Sequence, residues 1–335
     1  MKRILMIATG GTIASTSDGS GLAPTLTGRE VAECVPLIDT LCELDFVQPM
    51  NIDSTNMRPR DWRRIAQVVA EAYDRYDGFV VLHGTDTMAY TAAALSYLIQ
   101  RSEKPIVLTG SQQPMASPFT DAKLNIYHSV LYACDDASHD VSVVFGGRVI
   151  CGTRARKQRT MSFNAFDSMN YPPIAYVRND KVVRAGQLPS CPVRSGAAPL
   201  VYDALDERVL VLKLTPELRP DILELLSRDY DAVILETFGI GGIPDHEGSW
   251  RRAIFDWVES GRVIVLTTQV PEEGLDLGVY EVGHAYADAP GILRGDDMTV
   301  EALVAKTMWV LGQAHDPSEV PELFYRVVNN DRTAR

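Results

Sequence analysis

The sequence has 335 residues, 46% hydrophobic and 23% charged, and carries a formal net charge of −12 at pH 7. This length exceeds one typical domain, so we expect two domains of unequal size. The acidic charge argues against nucleic acid as a partner, because phosphate binding needs a basic surface. The first apolar run is too short for a signal peptide and none approaches the roughly 18 residues of a membrane span. We therefore predict a cytoplasmic protein with no membrane partner.

In the first half of the chain, short apolar segments alternate with longer segments that have apolar residues at helical spacing. The predicted strands are RILMIA, ELDFVQ, GFVVLH, KPIVLTG and VSVVFG, and the predicted helices are DWRRIAQVVAEAYDRY, TMAYTAAALSYLI and DAKLNIYHSVLYA. This alternation is typical of βαβ units. It predicts an N-terminal α/β domain over residues 1–185, with a parallel sheet covered by helices on both faces.

A segment rich in Pro, Gly, Ser and charge then interrupts the pattern and predicts a linker over residues 186–206. A smaller α/β domain is expected over residues 207–335. Its predicted strands are RVLVLKL, YDAVILET and RVIVLTT, and its predicted helices are TPELRPDILELL, SWRRAIFDWVES and TVEALVAKTMWVLGQ. We expect the first of these helices to have Thr215 as its N-cap and Pro216 at its first position, and the second to end at Gly261.

Polar residues directly follow several strands of the N-terminal domain, in the segments TGGT (9–12), MNIDSTN (50–56), HGTDT (83–87) and TGSQQP (109–114). Ligands of open parallel sheets bind outside the carboxyl ends of the strands. We therefore expect one edge of the sheet to carry a cluster of hydroxyl, carboxylate and amide groups from Thr12, Asp53, Ser54, Thr55, Thr85, Asp86, Ser111 and Gln112.

The adjacent glycines of ATGGTIAS match neither the phosphate-binding loop nor the dinucleotide-binding fingerprint. They allow a sharp turn that would expose the hydroxyl of Thr12, although Thr12 could instead only cap that turn. In HGTDT, Thr85 and Asp86 place a hydroxyl beside a carboxylate that could hold a cationic group. The alternative is helix capping by Asp86 or Thr87.

A threonine hydroxyl is a weak nucleophile that needs a neighbouring base, and a lysine can serve when burial or nearby cations lower its pKa. The segment GTRARKQRT contains Arg154, Arg156, Lys157 and Arg159. It is either a solvated basic loop or a loop that turns Lys157 inward toward Thr85 and Asp86. His83, at the end of a buried strand, is a candidate base, but we expect it instead to be a satisfied histidine of the core or one that supports the site from behind. No histidine has ligand spacing, so we predict no metal and no cofactor.

The segments ATGGTIA, DSTNM, HGTDTM and TGSQ resemble motifs of the bacterial-type L-asparaginases, closest to the cytoplasmic type I group. The resemblance continues through ETFGIGGIP and DMTVEA. It implies hydrolysis of L-asparagine through an acyl-threonine, with glutaminase as a weaker activity, and a homodimer or homotetramer.

The implied catalytic residues are Thr12 as the nucleophile, Thr85, Asp86, which also holds the substrate ammonium, and Lys157. The implied substrate-binding residues are Asp53, Ser54 and Thr55 for the α-carboxylate, together with Gly11 and Ser111. Many relatives have a tyrosine where this sequence has Leu22, so we consider Tyr280, with Glu281 beside it, as an accessory base; both could instead only pack there.

Two other functions remain open at this point. A non-catalytic module that senses an amino acid is consistent with Leu22, but binding alone does not need two candidate hydroxyl nucleophiles. The ammonia-releasing subunit of a tRNA-dependent amidotransferase has the same module. We disfavour it because that subunit has a further N-terminal domain, whereas this sequence begins at the first predicted strand.

Overall fold

The computed structural model describes residues 1–11, 13, 15–17, 22–24, 30, 33–186, 198–244, 247–279, 285–286, 289 and 291–333, with only the backbone of 15–17 and 22–24. By their contacts the residues form two compact units. The first contains Met1–Asp203 and Val328–Asn330, and the second contains Ala204–Val327 and Asp331–Arg335.

The first unit is an α/β structure built around one large sheet. Its strands are β1 (Lys2–Ala8), β2 (Ser15–Ser17), β3 (Leu22–Pro24), β4 (Cys42–Val47), β5 (Gly78–Leu82), β6 (Ile99–Gln100), β7 (Ile106–Thr109), β8 (Val141–Phe145), β9 (Arg148–Cys151), β10 (Ala155–Lys157), β11 (Phe166–Ser168), β12 (Ala175–Arg178), β13 (Lys181–Arg184) and β14 (Leu200–Val201). Its helices are α1 (Pro59–Ala72), α2 (Met88–Leu98) and α3 (Ala122–Ala133), with 3₁₀ turns at Pro36–Thr40, Ser54–Asn56 and Tyr73–Arg75. The predicted α/β class and the predicted N-terminal strands and helices are confirmed.

The large sheet has the strand order β13-β12-β9-β8-β7-β5-β1-β4. Strands β4, β1, β5, β7 and β8 are parallel, and β9, β12 and β13 continue the sheet in antiparallel pairs. The change of direction occurs at Gly146 and Gly147, which have φ angles of 57° and 74°. Two residues with positive φ favour a tight hairpin turn. The five strands predicted from the sequence therefore form the parallel part of the sheet, and β9, β12 and β13 extend it.

Burial explains why this unit folds around the central strands. Every residue of β5, β7 and β8 is buried, as expected for parallel strands covered on both faces. Helix α1 buries only one face, with Trp62, Ile65 and Val69 among its buried residues. Helix α2 is buried around almost its whole circumference. The helix that follows HGTDT is thus fixed inside the unit.

The second unit has a four-stranded parallel sheet in the order β15-β16-β17-β18. Its strands are β15 (Val209–Lys213), β16 (Ala232–Thr237), β17 (Val263–Thr268) and β18 (Ile292–Arg294), and its helices are α4 (Ile222–Leu226), α5 (Ser249–Glu259), α6 (Val300–Gln313) and α7 (Glu319–Tyr325). Gly261 has a φ of 84° just after α5, as predicted. Thr299 caps α6 by accepting a hydrogen bond from the backbone N of Ala302 at 3.0 Å.

The predicted helix with Thr215 as its N-cap is wrong, because α4 begins only at Ile222, after Asp221 as the N-cap. Pro220 explains the difference. A proline disfavours the helical conformation of the residue before it and lacks the amide donor of a helix interior.

The predicted linker, residues 186–206, is only partly described, since 187–197 lie outside the described residues. Within the described part, Leu200–Val201 pairs antiparallel with Ile99–Gln100, which places β14 in the first unit. Among the helices of the described residues, none is both long and apolar enough to cross a membrane.

Candidate active site

The turn after β1 is held against the segment that leads to Asp53. Gly10 and Gly11 have φ angles of 107° and 84°. The N of Gly11 donates to Ile52 O at 3.2 Å, and a Cβ on Gly10 would lie 2.4 Å from that same oxygen. The first motif therefore needs glycine at this position for steric reasons. Thr12, which follows Gly11 and is the proposed nucleophile, lies outside the described residues.

Three of the predicted motifs meet at their glycines. A Cβ on Gly11 would lie 2.4 Å from Gly84 Cα, and a Cβ on Gly84 would lie 2.6 Å from Ser54 Oγ. A Cβ on Gly110 would lie 2.3 Å from His83 O. The segments that follow β1, β4, β5 and β7 thus come together at the carboxyl ends of the parallel strands.

The DST segment forms a 3₁₀ turn with Asp53 at its N-cap. Asp53 Oδ1 accepts hydrogen bonds from Thr55 N at 2.9 Å and from Thr55 Oγ1 at 3.0 Å. Ser54 is buried, and its carbonyl accepts a hydrogen bond from Thr87 Oγ1 at 2.8 Å. Although Thr87 is the N-cap residue of α2, its side chain makes no capping hydrogen bond. Its hydroxyl instead joins HGTDT to DST.

Lys157 joins the hydroxyl of Thr85 to the carboxylate of Asp86. Its Nζ donates to Thr85 Oγ1 at 2.8 Å and to Asp86 Oδ1 at 2.7 Å. Thr85 is buried, the Lys157 side chain is 18% exposed and the Asp86 side chain is 58% exposed. The arrangement places a protected hydroxyl and an amine behind a carboxylate that solvent or a ligand can reach.

Strand β10 carries Lys157 into this position. It pairs with β11, where Lys157 lies opposite Phe166, a fully buried residue. Two arginines of the same segment bond to other groups. Arg154 Nε donates to Asn330 O at 2.6 Å, and Arg159 donates to Asn164 O at 2.9 Å. Lys157 thus reaches Thr85 and Asp86, while these two arginines bond elsewhere.

The fourth motif supplies a second partner for Thr85. Thr85 Oγ1 donates to Gln112 Oε1 at 3.3 Å, and the Gln112 backbone is held by Asp121, which accepts from its N at 3.0 Å. Ser111 is buried, and its hydroxyl donates to Gln113 O at 2.5 Å. In the described structure this hydroxyl therefore supports the turn.

Two residues of this site were not found by sequence reasoning. Asp121 accepts hydrogen bonds from Gln112 N, from Gln113 N and from Asn125 Nδ2. Asn125 Nδ2 also donates to Gly110 O at 3.0 Å. The available signal was the aspartate at the start of the predicted helix DAKLNIYHSVLYA. Its carboxylate holds the preceding loop rather than capping the helix.

His83 is a buried histidine with both ring nitrogens bonded, as predicted. Its Nδ1 lies 2.7 Å from Gly84 O, and its Nε2 lies 2.9 Å from Thr91 Oγ1. A carbonyl only accepts, so Nδ1 carries the proton and Nε2 of the neutral ring accepts from Thr91. Burial lowers the pKa of His83 to about 4, and the bond to Gly84 O opposes that shift. His83 is therefore neutral and braces the HGTDT loop.

The lowered pKa of His83 predicts a loss of stability in acid. Above pH 6.5 the His83 ring is neutral in both the native and the unfolded protein. Between pH 6.5 and 4 the ring takes up a proton in the unfolded protein but not in the native one. Stability therefore falls by about 3 kcal/mol as the pH drops through this window. Urea unfolding at several pH values should show this slope, and His83→Gln should flatten it. An equal slope in both proteins would contradict the assignment.

The accessory-base candidates are not placed by the structure. Tyr280 and Glu281 lie outside the described residues. Leu22 is described only by its backbone, in β3. The group that activates the first-motif threonine therefore stays a prediction.

Comparison with protein families gives a match over both units. The model described as "Asparaginase, N-terminal" matches residues 3–189, and that described as "Glutaminase/Asparaginase C-terminal domain" matches residues 208–324.

Individual relatives agree with these matches. The chain is 36% identical over 332 residues to an L-asparaginase of Thermococcus kodakarensis, covering 99% of each chain. A solved structure of the thermostable L-asparaginase from that organism superimposes with a TM-score of 0.92 at 35% identity, covering 99% of this chain and 100% of the other. L-asparaginase 1 of Escherichia coli K12 is 33% identical over 271 residues, 80% of this chain and 78% of that protein. A glutamyl-tRNA(Gln) amidotransferase subunit of Pyrococcus horikoshii is 35% identical over 329 residues, 95% of this chain and 74% of that protein.

Proposed function

The chain belongs to the asparaginase family, and on that premise we propose that it hydrolyses L-asparagine to L-aspartate and ammonia in the cytoplasm. The observation that carries the proposal is the contact of Lys157 Nζ with Thr85 Oγ1 at 2.8 Å and with Asp86 Oδ1 at 2.7 Å. An amine, a buried hydroxyl and an accessible carboxylate in direct contact suit proton transfer beside an amino-acid substrate.

In the proposed reaction the hydroxyl of Thr12 attacks the side-chain amide carbon. The C–N bond breaks, the nitrogen takes up a proton and leaves as ammonia, and an acyl-threonine ester remains. Water then attacks the ester, and its proton passes through the hydroxyl of Thr85, which Lys157 contacts, to Thr12 Oγ1 as the ester C–O bond breaks. Hydrolysis releases L-aspartate and restores Thr12. The candidate base for the first step, the attack by Thr12, is Tyr280 or Glu281.

The substrate is held by groups at the same edge of the sheet. Asp86 offers its exposed carboxylate to the α-ammonium, and the DST segment binds the α-carboxylate, with Ser111 in the adjoining turn. The backbone amides near Gly11 and Thr85 stabilise the developing oxyanion, and one such donor contributes roughly 3 kcal/mol.

Ammonia release from L-asparagine, L-glutamine and D-asparagine tests this function. We expect turnover of L-asparagine and weaker turnover of L-glutamine, because one methylene in a fitted pocket is worth about 1–3 kcal/mol. Thr85→Val keeps the shape of the side chain without its hydroxyl and should lose turnover, whereas Thr85→Ser should retain part of it. Failure to release ammonia from any amide would contradict the proposal.

Asp86→Ala should raise the KM for L-asparagine by about 10–100-fold, because it removes a charged partner of the substrate ammonium. Steady-state kinetics checks this, with Asp86→Asn as the matched variant that keeps the size and loses the charge. A KM that stays at the wild-type value in both variants would remove Asp86 from substrate binding.

The amidotransferase relative supports a second candidate, an ammonia-releasing subunit that works with a tRNA-binding partner. The two functions differ in what the isolated chain does. An L-asparaginase turns over free L-asparagine alone, at a rate that added tRNA does not change. A subunit would release ammonia only with its partner.

Sedimentation of the purified chain tests the proposed homodimer or homotetramer.

A further inference from the structure

The segment Val328–Asn330, close to the end of the sequence, belongs to the first unit. Asn329 and Asn330 have φ angles of 46° and 55°, in the left-handed region that asparagine tolerates better than most residues. The side chain of Asn329 is bonded inside the unit. Its Nδ2 donates to Ser96 Oγ and to Val141 O, both at 2.9 Å. Hydrogen bonds therefore hold this segment in the first unit.

The backbone carbonyls of the same two asparagines accept hydrogen bonds from the residues just before β10. Thr153 Oγ1 donates to Asn329 O at 2.6 Å, and Arg154 Nε donates to Asn330 O at 2.6 Å. Cys151 Sγ also donates to Asn329 O, at 2.8 Å. Thr153 and Arg154 are fully buried. Buried donors of this kind need acceptors, and a guanidinium makes the stronger hydrogen bond.

These contacts join the two chain segments that carry the candidate catalytic groups. Ser96 is on α2, the helix that begins directly after HGTDT. Thr153 and Arg154 immediately precede β10, which ends at Lys157. The two segments already pack closely, since a Cβ on Gly152 would lie 2.8 Å from Ser96 Oγ. Asn329 is hydrogen-bonded to both segments. Its side-chain amide donates to Ser96 on α2, and its backbone carbonyl accepts from Thr153, just before β10.

We propose that Asn329 and Asn330 are positioning residues for the candidate active site. They hold the start of β10 against α2 and so set the distance between Lys157 Nζ and Thr85 Oγ1. The effect on turnover rests on the proposed function, whereas the effect on the order of residues 152–157 does not.

The sharpest test removes one hydroxyl that binds this segment. Thr153→Val keeps the side-chain shape and loses the donor to Asn329 O, and Thr153→Ser restores the hydroxyl. We expect Thr153→Val to lower kcat for L-asparagine by about tenfold with an unchanged KM, and Thr153→Ser to recover most of it. Thr40→Val, which loses a hydroxyl bond to Leu37 O elsewhere in the unit, should keep the wild-type kcat.

Hydrogen–deuterium exchange gives a readout that does not need activity. Backbone amides of residues 152–157 should exchange faster in Thr153→Val and in Asn329→Gly, a variant that keeps the left-handed backbone and loses the side-chain amide. Wild-type exchange and wild-type kcat in both variants would overturn the proposal. So would lower melting temperatures with neither quantity changed, since that result describes a purely structural segment. If wild-type protein releases no ammonia, the proposed function fails, and the exchange data still decide the positioning.

Discussion

Replacing Lys157 with methionine is expected to lower kcat for L-asparagine by about 10²–10⁴-fold, the usual contribution of a positioned proton-transfer group. Lys157 Nζ contacts both Thr85 Oγ1 and Asp86 Oδ1. Methionine has a similar length but offers no proton acceptor. KM should change much less, because the proposed contacts to substrate come from other residues. Steady-state ammonia release, with circular dichroism as a check of folding, measures both.

Lys157→Arg separates charge from proton transfer. An arginine can keep the ion pair with Asp86, yet it does not lose its proton in proteins. If Lys157 works as a proton acceptor, the arginine variant stays nearly as slow as the methionine variant. Recovery of the wild-type rate in Lys157→Arg would instead assign Lys157 an electrostatic role. Wild-type rates in Lys157→Met would remove it from the mechanism.

Replacing Lys306 with methionine is expected to lower the unfolding free energy of the second unit by about 3–5 kcal/mol. Lys306, on α6, and Asp331 are both fully buried, and their charged atoms lie 2.5 Å apart. Lys306 Nζ also donates to Arg326 O at 2.8 Å. Burial lowers the pKa of Lys306, while the charge of Asp331 opposes that shift. The methionine variant would leave the carboxylate of Asp331 buried without its countercharge.

Urea unfolding of Lys306→Met and of the double variant Lys306→Met/Asp331→Leu checks this account. Replacing both partners of a buried ion pair with apolar residues is often neutral or stabilising. The double variant should therefore recover most of the stability that the single variant loses. Wild-type stability in Lys306→Met, or a double variant less stable than the single one, would contradict the assignment. Neither residue has a place in the proposed reaction.

The elements that sequence reasoning predicted well are those whose signals are local. Strand β5 is a continuous apolar run, and α6 follows a threonine that does cap it. The misses have physical causes that a periodic pattern does not register. Gly146 and Gly147 turn the chain back on itself, and Pro220 prevents the helix expected from Thr215.

The candidate site divides in the same way. Lys157 lies 72 positions after Thr85 and 71 after Asp86, so no local pattern connects the three residues. Their contact was instead suggested by the chemistry that a weak nucleophile needs. Asp121 was missed because its carboxylate binds the loop eight and nine positions before it instead of capping its helix, and Asn329 was missed because its role depends on long-range packing. An asparagine 233 positions after Ser96 leaves no periodic signal that would connect the two residues.

The proposed acyl-threonine is tested most directly by comparing wild-type protein with Thr12→Ala on L-asparagine, following ammonia release and, after an acid quench, the masses of the intact protein and of its proteolytic peptides. We predict that the wild type releases ammonia and that the quenched protein gains the mass of one aspartyl group on the peptide that contains Thr12. Thr12→Ala should show neither the release nor the gain. Undiminished ammonia release by Thr12→Ala would contradict hydrolysis through an acyl-threonine at this site.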